Sequence, residues 1–298
     1  MKPAPFRYVA PTTLDEALEL LFQNGRSARV LAGGQSLIPM LNFRSVQLDL
    51  LVDINRLSEL DFVREGPGGG LRIGGLTRQR RLEFDPLVAM RAPLMHQAVP
   101  YVAHPVIRNR GTLGGSLAYA DPAAEQPAVN LALGARFRAV NQRGSRWIAA
   151  EDFFRGFSRT ALRPDELLVE VEIPPMAERT GWGFCETARR QGDRVMMGVA
   201  ALVTLDEAGD CRQARLVYMN AGDTPMLAPA AVDLLRGNPL TPEAMHAAAL
   251  TASQEEIDPA GDIDTPAGYQ RFLAHELTLR ALRQAQECAL LRSPEVKV

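Results

Sequence analysis

The alternation of apolar and polar positions divides the chain into segments of recognisable period. Leu14, Ala17, Leu18 and Leu21 recur at helical spacing behind Thr13, with Glu16 placed to complete a capping box and Asn24-Gly25 to stop the helix. "ARVLAGG" reads as a short buried strand entering a glycine turn, "QSLIPML" as a helical turn after it, and "LLVDI" as a second buried strand. Residues 12–54 therefore predict an alternating α/β unit. "REGPGGG" between "LDFV" and "LRIGG" predicts a hairpin tip, Thr77 is placed to cap a helix over "RQRRLEF", and residues 85–107 read as mainly helical. "ARFRAV" and "RWIAAEDFF" read as strand and connector. "ELLVEVEIPP" alternates as a strand does and stops at a double proline.

Beyond Pro174-Pro175 the pattern changes. "GWGFCETARR", "VMMGVAALVTL" and "CRQARLVYMN" are three β-like runs at hairpin spacing, predicting an antiparallel sheet. Two helices follow: one starts at Thr241-Pro242, and the longest in the chain starts at Thr265-Pro266. The expected class is α+β, divided as 1–57, 58–175 and 176–298. There is no tandem repeat and no low-complexity segment.

Composition narrows the function classes. The 298 residues are 46% hydrophobic and 23% charged, with a net charge of -2, which leaves no electrostatic footprint for nucleic acid or an anionic membrane. No apolar run is long enough to span a bilayer, and "MKPAPFRYVAPTT" has no apolar stretch of the secretory kind. Cys185, Cys211 and Cys288 are odd in number and form no CxxC pair, which favours a reducing, cytoplasmic setting and excludes a four-thiolate cluster on this chain alone. The four histidines show no metal-ligand spacing, so neither a metal site nor a catalytic residue is assigned.

Candidate chemistry sits in two glycine pairs. Gly33-Gly34 lies at a strand-to-helix junction, with Ser36 beside it; Gly114-Gly115 is flanked by Thr112 and Ser116. Glycine permits positive φ and removes the Cβ atoms that would block a ligand, and exposed N–H groups at such turns attract anions. One phosphate needs one such turn and a pyrophosphate could use two. Neither pair fits G-x-G-x-x-G or the Walker sequence, so nicotinamide and nucleoside-triphosphate readings have no motif behind them.

"VLAGGQSLIPML", "HPVIRNRGTLGGSLAYADPAAE", "ELLVEVEIP", "FCETARRQGDRVMMGVAA" and "DIDTPAGYQRFLAHELTLRAL" together resemble, in order and over almost the whole chain, the FAD-binding medium subunit of the molybdenum hydroxylases. That family includes bacterial carbon monoxide, nicotine-type and xanthine dehydrogenases. The resemblance implies a two-subdomain flavin fold of the vanillyl-alcohol-oxidase (PCMH) type and a C-terminal domain like that of carbon monoxide dehydrogenase flavoproteins. It implies that Leu31, Ala32, Gly33, Gly34, Gln35, Ser36 and Leu37 wrap the pyrophosphate and ribityl chain of FAD. Thr112, Gly114, Gly115 and Ser116 would form a second clamp. Tyr119 and Ala120 would lie near the isoalloxazine, Glu125 would meet an adenosine or ribityl hydroxyl, and Leu167 and Leu168 would pack on the adenine side.

Some relatives carry a lysine in the segment matching "FCETARR". Cys185 and Glu186 stand there instead, which leaves Arg189 and Arg190 as cationic candidates beside the flavin. No His or Cys lies inside either glycine motif, so a dissociable FAD is expected. The resemblance further implies a large molybdopterin-binding partner and a small partner with two 2Fe–2S clusters, assembled as a dimer of heterotrimers, with this chain passing their electrons to an external acceptor. The alternatives are a self-sufficient flavin oxidase or reductase of the same fold, and a nonenzymatic binding protein in which both glycine pairs are only turns.

Overall fold

The computed structural model describes residues 2–292. Its first unit is a three-stranded parallel sheet in the order β1 (Arg7–Val9), β3 (Leu50–Asp53), β2 (Ala28–Leu31). Helix α1 (Leu14–Asn24) packs Ala17, Leu18 and Leu21 onto this sheet, and α2 (Leu37–Asn42) follows the first glycine pair. Thr13 caps α1 as expected, accepting from the Glu16 N–H at 3.2 Å. The Glu16 carboxylate reaches one residue further back than a capping box does, taking the Thr12 N–H at 2.9 Å.

The second unit is an antiparallel sheet ordered β4 (Val63–Glu65), β5 (Leu71–Gly74), β10 (Leu167–Ile173), β6 (Arg136–Asn141), β7 (Gly144–Ala149). The glycine-rich tip joins β4 to β5 as a hairpin. Thr77 does not cap the next helix: its hydroxyl donates to the Phe62 carbonyl at 2.9 Å, and α3 (Gln79–Phe84) begins after Arg78 with no side-chain cap. Residues 86–108 form short helices, α4 (Pro86–Arg91), α5 (Pro93–Ala98) and α6 (Pro105–Arg108), each opened by a proline at its first position. A fixed φ and a missing N–H make proline suitable there and nowhere deeper, so the repeated prolines chop one helical stretch into turns. Helices α7 (Leu113–Tyr119) and α8 (Glu125–Ala132) come next; every residue of α8 is buried. After β7, α9 (Ala150–Phe153) leads to a small ribbon of β8 (Phe154–Gly156) and β9 (Arg159–Thr160).

Strand β10 separates two cores. Leu167 and Val169 face the core under α1, whereas Leu168, Val171 and Ile173 face the core built from α5, α7 and α8. A bulge between Leu168 and Glu170 shifts the register against β6, so that two acidic residues fall on the first face without moving the apolar set from the second. Those acids are paired: Glu170 with Arg64, Arg72 and Arg138 at 3.4–3.5 Å, and Glu172 with Arg72 and Arg136 at 2.8 and 2.6 Å.

The third unit is the expected antiparallel sheet, β11 (Thr180–Ala188), β12 (Val195–Leu205), β13 (Cys211–Met219) and the short β14 (Met226–Leu227), followed by α10 (Pro229–Leu235), α11 (Pro242–Thr251) and α12 (Ala267–Leu291). Thr241 caps α11 with Pro242 at its first position; Pro266, expected inside the last helix, is instead the extended residue before it. One face of the sheet carries α12, which lies so close to β11 that a Cβ on Gly181 or Gly183 would strike the backbone at Ala285 or Ala281. The other face continues the core of the second unit through Phe184, Ala200, Val217 and Met219. Among the described residues no helix is long and apolar enough to cross a membrane.

Candidate functional site

A cleft of about 520 Å³ opens between the first and second units. Its size is that of a small-molecule or cofactor site. Ala32, Gly33, Gly34, Gln35, Ser36 and Leu37 line one wall. Thr112, Gly114, Gly115, Ser116, Tyr119 and Glu125 line another, and Leu167 and Leu168 at the start of β10 lie between them. The two glycine pairs, some 80 residues apart in sequence, thus face one space. Leu31 and Ala120 do not line it. Leu31 packs behind the first loop, and Ala120 is buried in the core as the left-handed cap of α7 (φ 53, ψ 47).

The pairs differ from the turns expected of them. Only Gly34 has positive φ, at +75°; Gly114 and Gly115 lie inside the first turn of α7. At Gly33 a Cβ would stand 2.6 Å from the Arg110 carbonyl and 2.7 Å from the Gly111 Cα; at Gly114 it would stand 2.6 Å from the Gly75 carbonyl. These glycines therefore let backbone approach backbone. The chain's N–H groups divide likewise. Those of Leu113, Gly114, Gly115 and Ser116 are all engaged, with Thr77, Gly75, the Thr112 hydroxyl and Thr112 as acceptors at 2.9–3.1 Å. Among the described residues, those of Gly33, Gly34, Gln35 and Ser36 donate to no protein acceptor.

A relay fixes the first loop. The Tyr8 hydroxyl donates to Asp53 at 2.5 Å, and Asn55 Nδ2 donates to Asp53 at 2.6 Å and to the Ala32 carbonyl at 2.8 Å. Arg78 donates to Asn55 at 2.6 Å and to the Arg110 carbonyl. Burial disfavours the Asp53 charge, but the Tyr8 and Asn55 hydrogen bonds outweigh it and hold the carboxyl below its ordinary value. Arg78 meets only neutral oxygens, and burial lowers its affinity for its proton.

Asp121 opens a tight turn between α7 and α8, its side chain accepting from the Ala123 N–H at 2.9 Å. That turn delivers Glu125 to the cleft with 7% of its surface exposed, and burial pushes its carboxyl up to about 7. Glu166 also lines the cleft, but Arg146 holds it with two bonds, at 2.7 and 2.8 Å. Tyr119 stands edge-on to Phe157, ring centroids 6.5 Å apart. Arg189 pairs with Asp264 at 3.1 Å on the surface, and neither Arg189 nor Arg190 lines the cleft.

The sequence reading missed Gly75, Gln79 and Gly111 on one side and Ser158 and Leu162 on the other. Gly75 carried a signal, because Gly74-Gly75 is a third glycine pair, placed at the end of a strand. A Cβ on Gly75 would strike the Leu168 carbonyl.

The cleft fits an extended ligand carrying an anionic centre: it has unengaged N–H donors at one loop, hydroxyls at Ser36 and Ser116, apolar walls at Leu37, Leu167 and Leu168, and no His or Cys in its lining. Residues 4–176 match the family model described as the FAD binding domain in molybdopterin dehydrogenase, and residues 182–285 match that of the CO dehydrogenase flavoprotein C-terminal domain. The chain is 39% identical over 96% of each chain to the 6-hydroxypseudooxynicotine dehydrogenase complex subunit alpha of Paenarthrobacter nicotinovorans. It is 36% identical to the carbon monoxide dehydrogenase medium chain of Hydrogenophaga pseudoflava, over 96% of this chain and 98% of that one. A solved structure of carbon monoxide dehydrogenase from Hydrogenophaga pseudoflava superposes with a TM-score of 0.92 at 37% identity, covering 96% of this chain and 99% of that one.

Proposed function

This chain belongs to the FAD-binding medium subunits of the molybdenum hydroxylases, and from that premise we propose that it is the electron outlet of a three-subunit complex. In this reading electrons arrive from 2Fe–2S clusters on a small partner, having left substrate at a molybdopterin-bearing large partner, and pass from here to an external acceptor. The observation that carries the reading is the row of four unengaged N–H groups from Gly33 to Ser36, facing a cleft with hydroxyl and apolar walls. Such a row suits a diphosphate, and a sheet edge and a helical turn hold it rigid.

The bound flavin supplies the exchange between one-electron and two-electron traffic. This chain's residues bind and orient it. Ala32 to Leu37 hold the diphosphate and ribityl chain, with Leu31 supporting that loop from behind. Thr112, Gly114 and Gly115 shape the opposite wall, from which the Ser116 hydroxyl reaches inward. Leu167 and Leu168 give the adenine an apolar surface, Glu125 meets a sugar or ribityl hydroxyl, and Tyr119, with Ala120 setting the turn beneath it, stands beside the ring system. With no His or Cys lining the cleft, FAD is held without a covalent bond.

Three cysteines in all are too few to ligate two clusters, which is why the clusters belong on a partner. Electron transfer requires close approach, so the small partner covers the surface near Tyr119 and Phe157; Phe157 is 52% exposed. We take 1–57 and 58–175 as the two flavin-binding subdomains, 176–298 as the C-terminal domain, the assembly as a dimer of heterotrimers, and the cytoplasm as its compartment, the last in keeping with three free thiols. The test is to produce the full chain with and without its partners. Alone, it releases yellow FAD on acid precipitation and passes electrons from a reductant to a dye, but oxidises neither carbon monoxide nor N-heterocycles. Robust substrate oxidation by the metal-free chain would overturn the subunit reading in favour of a self-sufficient oxidase, and a colourless chain indifferent to FAD would overturn the cofactor role of the cleft.

A further inference from the structure

Where the second unit meets the third, the fold leaves several polar atoms buried and unpartnered. Gln126 is fully buried, and neither its Oε1 nor its Nε2 has a partner; one turn along α8, Asn130 Oδ1 has none. Glu186 Oε2, on β11, is likewise occluded and unpartnered. Glu125 opens α8 beside them and lines the cleft. A buried polar atom left without a partner is costly, and native folds keep such atoms few. Several at one seam mark a place completed by water and by a proton.

The seam is well defined. Phe184 packs toward Tyr101, ring centroids 5.2 Å apart, and Glu186, two residues further along β11, projects from the same face. Asn220 staples the two sides: its N–H donates to the Pro122 carbonyl at 2.8 Å, and its side chain donates to the Val195 and Met196 carbonyls at 2.9 and 3.1 Å. Pro122 lies three residues before Glu125, and Glu186 pairs across the sheet with Gly198, two residues after Met196. The staple thus brings the two carboxyls to opposite sides of one junction.

We propose that Glu125 and Glu186 share a proton across this seam, through water held by Gln126 and Asn130, and that the pair supplies the proton taken up when flavin in the adjoining cleft is reduced. The proposal rests on the FAD reading above. Two electrons from an external donor (the partner's iron–sulfur centres, or dithionite in vitro) and one proton convert FAD to its singly protonated reduced form. The carboxylic O–H bond breaks and a ring N–H bond forms; reoxidation returns the proton, and solvent balances any deficit. Burial lifts Glu125 to about 7 and Glu186 to about 8, where the Glu125 charge adds to the effect. Asp121 pushes Glu125 further up and Arg108 pulls it down, but the Arg108 guanidinium is committed to Glu83 and to the carbonyls of Val102 and Ala103. Among the described residues no cation pairs with either carboxyl.

The full-length chain, first stripped of flavin, is titrated by infrared spectroscopy. The protein should show a buried carboxylic-acid C=O stretch at neutral pH that fades above about pH 8, and Glu186→Gln should lose or shift it. No such band in the unsubstituted chain overturns the shared proton, whatever the fate of the FAD reading. The second arm reloads FAD and follows its midpoint potential against pH. Glu186 does not line the cleft, so Glu186→Gln should bind FAD as tightly as the unsubstituted chain, while its potential falls more steeply with pH below about pH 8, where the unsubstituted pair supplies the proton internally and solvent must replace it in the variant. An infrared band with an unchanged slope overturns the role as proton supply. If the chain binds no FAD, the FAD reading fails and the supply role fails with it, while the infrared arm still decides the shared proton.

Discussion

Gly33-Gly34 precedes a short helix and Gly114-Gly115 lies in the first turn of one, each stands near serine or threonine, and both line the same cleft, yet their backbones are spent differently. Around Gly114 the fold consumes every N–H of the first helical turn, with Gly75 and Thr77 on the neighbouring strand end as two of the acceptors. Around Gly34 it consumes none from Gly33 to Ser36. The first loop is held from outside, through the Ala32 carbonyl, by Asn55 and the relay behind it. Glycine pairs that look interchangeable in sequence thus differ in what they leave over: one keeps its donors free, and the other sets the facing wall by backbone packed against backbone.

The substitution expected to do most is Gly114→Ala. Its methyl would lie 2.6 Å from the Gly75 carbonyl and 2.9 Å from the Gly75 Cα, neither of which can swing aside. A cost of about 3 kcal/mol is expected, read as a lower melting temperature of the flavin-free chain. Unchanged stability would show that this wall is not set by backbone contact. Hydrogen exchange separates the loops without substitution. At FAD concentrations near a hundred times Kd, amides of Gly33 to Ser36 should gain protection of about 100-fold, roughly 2.7 kcal/mol. Those of Leu113 to Ser116, already bonded, should change little; equal gains at both loops would erase the distinction.

Gly34→Ala tests the donor loop alone. Residues other than glycine pay about 1–2 kcal/mol at such a positive φ, and relief by twisting would turn the N–H groups away. We expect FAD affinity to fall about tenfold, equivalent to about 1.4 kcal/mol, measured by flavin fluorescence titration. Affinity within twofold of the parent would remove the loop from the diphosphate site. The smallest effect belongs to Thr112→Val, which deletes the cap on the Gly115 N–H. A stability loss of about 1 kcal/mol is expected, with FAD affinity nearly unchanged once folded protein is compared; a tenfold affinity loss would give the hydroxyl a direct role.

Much of this was legible in the chain. Thr13 and Thr241 announced their helices because a capping side chain acts within three residues, and the β11–β13 runs announced their sheet through period and spacing. Thr77 misled because its better partner, the Phe62 carbonyl, lies 15 residues away and only the folded hairpin presents it. Gly33 and Gly114 were legible as close-approach sites but not as to what approaches, since Arg110 and Gly75 arrive by tertiary packing. Nor could local pattern show that the Leu113–Ser116 amides are already satisfied. The bulge in β10 left only a faint mark: three apolar residues, Leu167 to Val169, interrupt the alternation of "LLVEVEI", and pairing with β6 is what turns that into a register shift.

That bulged strand has a thermodynamic consequence. Leu167 and Val169 are part of one core and Leu168, Val171 and Ile173 part of another, so a single stretch of chain forms the partition between them. Neither compartment can melt while the other keeps its wall. Because the second of those cores runs on into the third unit through Phe184, Ala200, Val217 and Met219, calorimetry should see the flavin-free chain unfold in one transition, with van't Hoff and calorimetric enthalpies in agreement.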